Sequence, residues 1–195
     1  MDYKILVLDI DGTLTNCRNQ ITPHTMKTLS RVQQKGVKLV IASGRPTYGV
    51  MPIAKQLELD KFGGFVLSFN GGKIIDVTTQ QVIYQNTLER ELIPGFYELA
   101  KAAGITLLAY KDEFIITENP EDKYAQHEMY LTKMKPMGVE NFVEALDFAP
   151  EKCLAVGDPE KVIALEKQVL ESFGDRMNAY RSQPFFLELV PKGID

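Results

Sequence analysis

KILVLDIDGTLT, residues 4–15, decides the fold of this chain. Its apolar run predicts a short buried strand, which Asp9 and Asp11 follow two positions apart. Side chains at i and i+2 of a strand point the same way, so we expect the two carboxylates to converge beyond the carboxyl end of the strand, where α/β sheets bind ligands. Like charges repel there unless one is protonated or a hard cation such as Mg²⁺ lies between them. Gly12 allows a sharp turn, and Thr13 offers a hydroxyl and an amide.

One other interpretation of this stretch remains open, and another is excluded. Asp-Gly is a common surface turn, in which case Asp9 is incidental. A calcium loop of the EF-hand type is excluded, because aligning Gly12 with the glycine of that loop places Val7 and Arg18 at positions that need oxygen ligands.

The residues after this stretch predict a strand–helix–strand unit. Thr22-Pro23 is a good helix start, Gly36 suits the left-handed end of the helix, and VKLVIA (37–42) is a second apolar strand. Such a unit implies parallel strands covered by helices. A helix over 47–57, a third strand over 64–69 and a small hairpin follow.

The pattern changes near residue 86. Helices are predicted at about 88–103, 120–134, 140–146 and 160–173, with strands at ITLLAYK, EFIITEN, KCLAVGD, MNAYRS and FFLELV. We therefore predict a Rossmann-like, doubly wound parallel α/β sheet begun by residues 1–85. An α+β module with a mostly antiparallel sheet is inserted after its third strand over 86–190, and 191–195 is a return linker.

Composition limits the classes of function. The 195 residues are 45% hydrophobic and 25% charged, with a net charge of −4, which is ordinary for a globular protein and argues against a nucleic-acid partner. No apolar run approaches the roughly 18 residues of a membrane span. The two cysteines and two histidines form no disulfide framework or zinc spacing, which suits a reducing cytoplasm.

A second polar group follows the second strand. In ASGR, Ser43 is placed to donate to a phosphate oxygen with help from the backbone amide of Gly44, although a serine that caps a helix is the structural alternative. Arg45 is a candidate contact to substrate or to the inserted module, or a solvated arginine. Asn70, after the third strand, borders the same edge or is a turn asparagine.

These motifs carry a family resemblance that covers essentially the whole chain. DIDGT resembles the DxDGT signature of the haloacid dehalogenase superfamily of phosphotransferases. ASGR and SFNGG resemble the later motifs of its Cof-type branch, and the order of elements in the inserted module resembles the large α/β cap of that branch. The closing YRSQPFFLELVPKG resembles the return of the chain from the cap into the core.

The resemblance implies chemistry for the two aspartates. Asp9 is expected to attack phosphorus and form an aspartyl-phosphate, and Asp11 to act as general acid and then as base. Mg²⁺ is expected on the Asp9 carboxylate, the Asp11 main-chain carbonyl and a later acidic residue. The implied function is a phosphatase for small phosphorylated metabolites such as sugar phosphates. A phosphomutase, and a truncated, inactive module that binds phosphate or a partner, remain as alternatives.

The chain also departs from the family pattern. Asp158 follows a glycine, as the last acidic ligand does, but it lies within the predicted cap and is expected to start a helix at Pro159. Lys192 belongs to the PKG phrase and is not the expected catalytic lysine. That lysine and the acidic motif are expected roughly 60–80 residues further on, in two more βα units. We therefore expect a fragment whose first strand is a bare apolar edge.

Overall fold

The computed structural model describes residues 3–194 and divides them into two compact units that meet at Gln85 and Asn86. The strands of the first unit are β1 (Ile5–Asp9), β2 (Lys38–Ala42), β3 (Phe65–Ser68), β4 (Lys73–Asp76) and β5 (Val82–Gln85), and its helices are α1 (Pro23–Gln34), α2 (Thr47–Gln56) and α3 (Leu59–Phe62). The predicted α/β class is confirmed. No helix within 3–194 is both long and apolar enough to cross a membrane.

The sheet of the first unit follows chain order from β1 to β5. β1, β2 and β3 are parallel, whereas β4 and β5 add an antiparallel hairpin. Right-handed crossovers between strands that advance in one direction place α1 and α2 on the same face. That face carries the core, in which Leu39 and Ile41 of β2 pack with Leu29 of α1 and Val50 of α2.

β1 lies at one edge of this sheet. Ile5 and Val7, which point away from the helix-covered face, are each 55% exposed, while Leu6 and Leu8 pack against the core. Within the described residues, the strand that carries the signature motif therefore has a free edge and an uncovered apolar face, as expected from its sequence.

The second unit is a six-stranded sheet with helices on both faces. Its strands are β6 (Thr106–Lys111), β7 (Phe114–Thr117), β8 (Lys135–Gly138), β9 (Cys153–Val156), β10 (Met177–Gln183) and β11 (Phe186–Pro191), in the order β10-β11-β9-β6-β7-β8. Its helices are α4 (Ile93–Ala103), α5 (Lys123–Thr132), α6 (Phe142–Ala145) and α7 (Pro159–Phe173). All pairs are antiparallel except β7 with β8.

The core of this unit forms between α4, α7 and one face of the sheet. Phe96 and Ala100 of α4 pack with Val162 and Leu165 of α7, and Leu107 of β6 contributes from the sheet. Gly104, with φ +64°, ends α4 in the left-handed conformation that favours glycine. That helix end agrees with its prediction. The core of this unit shares no residue with the core of the first unit.

Several predicted boundaries need correction. The helix expected from residue 88 begins at Ile93, after a short 3₁₀ turn, with Pro94 in its first turn. The helix expected to reach residue 134 ends at Thr132, because Lys133 has φ +61°. The strand β8 was not predicted: Pro136 and Gly138 argue against a strand, and β8 tolerates them because it lies at a sheet edge.

The end of the described chain packs on the second unit. Pro191 is the last residue of β11, and the carbonyl of Ile194 accepts a hydrogen bond from Asn178. Lys192 donates to the carbonyl of Gly174. Residues 191–194 of the predicted linker thus contact the second unit, and Asp195 lies outside the described residues. The core, cap and linker divisions of the sequence analysis remain functional proposals.

Candidate active site

The predicted site residues follow the carboxyl ends of three neighbouring parallel strands. Asp9, the last residue of β1, is in register with Ala42 of β2, which is in register with Leu67 of β3. Strand neighbours in a sheet lie about 4.8 Å apart, so Asp9 is one strand spacing from the start of the ASGR loop. The Ser43 amide donates to the Leu67 carbonyl at 2.9 Å, which ties that loop to β3.

The turn after Asp9 is anchored at both ends. Ile10 and Leu14 are buried, and the carbonyl of Ile10 accepts hydrogen bonds from the amide and the hydroxyl of Thr15 at 3.0 and 2.9 Å. Gly12 has φ +78°, a left-handed conformation that strains other residues. The anchors hold the exposed segment Asp11-Gly12-Thr13 outward at the strand end.

Asp11 is held by Arg45. The guanidinium of Arg45 donates through Nε to Oδ2 of Asp11 at 2.9 Å and through its terminal nitrogen to Oδ1 at 2.6 Å. The Arg45 side chain is 15% exposed, whereas that of Asp11 is 54% exposed. A two-point contact of this kind sets the plane of a carboxylate as well as its distance.

The carboxylates of Asp9 and Asp11 do not extend from one strand as predicted. β1 ends at Asp9, and Asp11 lies in the following turn with φ −80° and ψ +110°, so the two aspartates are not i and i+2 of one strand. The carboxylate of Asp11 faces Arg45. Arg45 itself was predicted as a substrate contact, a contact to the inserted module or a solvated side chain, and its pairing with Asp11 was missed.

The ASGR loop is braced by the loop after β3. The amide of Asn70 donates to the Ser43 carbonyl at 3.1 Å, and the amide of Phe69 donates to the Arg45 carbonyl at 3.0 Å. Phe69 and Asn70 have φ of +52° and +60°. A left-handed phenylalanine is strained by about 1–3 kcal/mol, and such strain concentrates at functional sites. The sequence offered no signal for it.

Ser43 and Asn70 have polar atoms suited to a bound group. Ser43 is buried, and its hydroxyl oxygen accepts the Arg45 amide at 3.2 Å, which leaves the hydroxyl hydrogen to donate to a phosphate oxygen. The side chain of Asn70 lies against Gly44, where a Cβ atom would be 3.2 Å from Nδ2. The Asn70 side-chain oxygen is buried and accepts no hydrogen bond from the described residues.

The donor set partly fits a magnesium ion. Asp9 and the main-chain carbonyl of Asp11 supply the hard oxygen ligands that Mg²⁺ prefers, and Asp9 is exposed at the strand end. The Asp11 carboxylate is directed to Arg45 instead. Residues 3–194 contain no group of three or more His, Cys, Asp or Glu side chains suited to a metal ion.

The Gly157-Asp158 motif lies in the second unit. Asp158 caps α7: its carboxylate accepts the Glu160 amide at 3.0 Å, and Pro159 is the first helical residue. The prediction that Asp158 starts a helix is confirmed.

Comparison with known proteins identifies the class of protein. The profile of the haloacid dehalogenase-like hydrolases matches residues 6–195, so the chain belongs to that family. A candidate phosphatase of Streptococcus pyogenes serotype M6 is 33% identical over an alignment of 201 positions, which covers all of this chain and 72% of that protein.

Solved structures agree with this assignment. A haloacid dehalogenase-like hydrolase from Bacteroides thetaiotaomicron is 44% identical with a TM-score of 0.96, over all of this chain and 73% of that one. The subclass IIB sugar phosphatase BT4131 shares the fold at a TM-score of 0.80 and 23% identity, over 98% of this chain and 71% of that one. The predicted resemblance is confirmed, and the chain is by family a hydrolase of the phosphatase type.

Proposed function

We propose that the first unit carries the phosphoryl-transfer site of a Mg²⁺-dependent phosphatase for small phosphorylated metabolites such as sugar phosphates. The observation that carries this proposal is the two-point contact of Arg45 with Asp11, formed beside Asp9 and Ser43 at the ends of parallel strands. If Asp11-Gly12 were only a surface turn, no arginine contact to Asp11 would be expected. The sugar phosphatase among the structural relatives supports the substrate class.

The residues present suit a two-step reaction. An Asp9 oxygen forms a bond to phosphorus as the bond to the leaving oxygen breaks, and Asp11 gives that oxygen its proton. Water then attacks phosphorus, Asp11 takes its proton, and Asp9 is released with inorganic phosphate. Arg45 binds the ionised carboxylate of Asp11, the form that accepts the proton from water. Ser43 and the amides of its loop hold phosphate oxygens. Bound Mg²⁺ would offset the negative charge of Asp9 and phosphate.

The other parts of the proposal concern the whole protein. We propose that residues 86–190 act as the cap of such enzymes, which governs substrate choice, and that 191–195 lead back to the core. We also propose a cytoplasmic location, since Cys17 and Cys153 are both free thiols. An alternative, phosphate binding without turnover, is favoured for residues 3–194 by their lack of a three-ligand acidic cluster.

Hydrolysis of p-nitrophenyl phosphate with Mg²⁺ and with EDTA tests the proposed function. We expect metal-dependent turnover by the full product of the gene, and the same assay on the 195-residue chain shows whether these residues suffice. Phosphate binding by the chain, seen by ³¹P NMR, without turnover in either form would establish the alternative. Equal rates with Mg²⁺ and EDTA would contradict the metal dependence.

Replacing Arg45 tests its role as the positioning residue for Asp11. We expect Arg45→Ala to lower kcat by roughly tenfold to a hundredfold, with a smaller change in KM, because the proton-transfer group loses its orientation. Arg45→Lys keeps the charge but not the two-point geometry, so it should recover only part of the rate. The kinetics are measured beside thermal unfolding. A rise in KM with unchanged kcat would assign Arg45 to substrate binding instead.

A further inference from the structure

A cleft in the second unit has the size of a small-molecule site. It occupies about 280 Å³ between the end of α4, the start of β6, the residues after β7 and the start of α6. Small-molecule sites begin at about 300 Å³, so this cleft suits a compact ligand. All its lining residues lie between Tyr97 and Phe142, and none belongs to the unit that carries Asp9 and Asp11.

The floor of the cleft is apolar and rigid. Ala100, Ile105, Leu107 and Phe142 are each at most 6% exposed and belong to the core of the unit. The ring of Tyr97 stacks on that of Phe142, with an interplanar angle of 8° and centroids 6.3 Å apart. An apolar group that enters the cleft is therefore removed from water against a preformed surface, which favours binding.

A fixed carboxylate lies on one side. Oε1 of Glu118 accepts the hydroxyl of Tyr97 and the amide of Phe142, each at 2.8 Å. These two bonds orient the carboxylate through Oε1. A carboxylate has acceptor positions on both oxygens, so Oε2 is the main position for a further donor. Because α4 ends at this cleft, its partial negative charge adds to that of Glu118. This side of the cleft favours an ammonium group.

A cation lies at the rim. Nζ of Lys101 donates to the Tyr97 hydroxyl at 3.2 Å and lies 5.2 Å from the centroid of that ring. Its hydrogen bond to Tyr97 raises the pKa of Lys101 above its usual value, so the group is charged at neutral pH. An ammonium has three donors, and one of them is used here.

We propose that this cleft binds a free amphipathic zwitterion, of the class of an α-amino acid with an apolar side chain. The ligand ammonium pairs with Glu118, its carboxylate pairs with Lys101, and its side chain lies on the floor formed by Ile105, Leu107 and Phe142. The site shares no residue with the proposed phosphatase site, and this proposal does not depend on that function.

Calorimetric titration of the 195-residue chain with L-leucine and L-phenylalanine tests this site. We expect saturable binding of at least one of them below about 10 mM. Leucinol lacks the carboxylate and isocaproate lacks the ammonium, so each should bind at least about tenfold more weakly than L-leucine.

Matched variants locate the binding. Glu118→Gln keeps an oxygen for Tyr97 and Phe142, and Lys101→Ala removes the rim cation; each should weaken binding at least about tenfold. The controls are Glu144→Gln, an exposed glutamate outside the cleft, and Lys111→Ala, whose lysine lies near an aromatic ring as Lys101 does and pairs with Asp147. Both should bind as the parent does. No saturable binding of either amino acid, or equal affinity in Glu118→Gln and its control, overturns the proposal.

Discussion

Lys152→Met will lower the free energy of unfolding of the second unit by about 3–5 kcal/mol. Nζ of Lys152 pairs with Oε2 of Glu188 at 2.8 Å, and the two side chains are 3% and 7% exposed. Ser182 donates to the other oxygen of Glu188 at 2.6 Å, which leaves that carboxylate little freedom to reach water. Removing the lysine leaves a buried negative charge without its cation.

Hydrogen exchange measures this effect where it arises. Lys152 directly precedes β9, and Glu188 lies in β11. The protection of the backbone amides of these two strands from exchange reports the free energy at which this sheet opens. The matched control is Lys135→Met. Lys135 pairs with Glu113 at the same 2.8 Å, but these side chains are 62% and 41% exposed, so its loss should change stability by less than about 1 kcal/mol.

A double replacement separates the two causes of the loss. In Lys152→Met with Glu188→Leu, both charges are absent and apolar groups fill the space, so most of the lost stability should return. A double variant as unstable as Lys152→Met would show that packing of the lysine stem, and not the unpaired charge, is responsible.

The parallel sheet and the position of the site followed from local patterns. Apolar runs that alternate with well-capped helices predict parallel strands, and parallel strands have their carboxyl ends at the same edge of the sheet. Thr22, Pro23 and Gly36 act in the structure as predicted, since Thr22 caps α1, Pro23 begins it and Gly36 follows it with φ +85°. Asp9 and Ser43 therefore could be placed on neighbouring strand ends from sequence.

Contacts between distant side chains could not be predicted in this way. Arg45 and Asp11 are 34 residues apart, and spacing alone does not give the direction of a long arginine side chain. Lys152 precedes an apolar strand, where a lysine is expected at the surface, but it is buried beside Glu188 and the ring of Tyr110. The left-handed Phe69 is held by tertiary hydrogen bonds, which override its local preference.

Asp9→Asn will lower phosphate-monoester turnover by at least about a thousandfold. The amide of asparagine is a poor nucleophile, and its neutral oxygen binds Mg²⁺ more weakly than a carboxylate does. kcat with p-nitrophenyl phosphate is measured in the form of the protein that turns over with Mg²⁺. Asp112→Asn, at an exposed left-handed turn position that asparagine tolerates, is the matched control and should keep parent activity.

The Asp11→Asn variant separates the two steps of the proposed reaction. Nitrophenolate departs without a proton, so Asp9 should still be phosphorylated by p-nitrophenyl phosphate, whereas an alkyl phosphate needs the acid and should react far more slowly. Hydrolysis of the aspartyl-phosphate then lacks its base. Mass spectrometry of acid-quenched Asp11→Asn should find one phosphoryl group on the peptide that contains Asp9. A phosphoryl group on another residue, or parent-like turnover by Asp9→Asn, would remove Asp9 from the role of nucleophile.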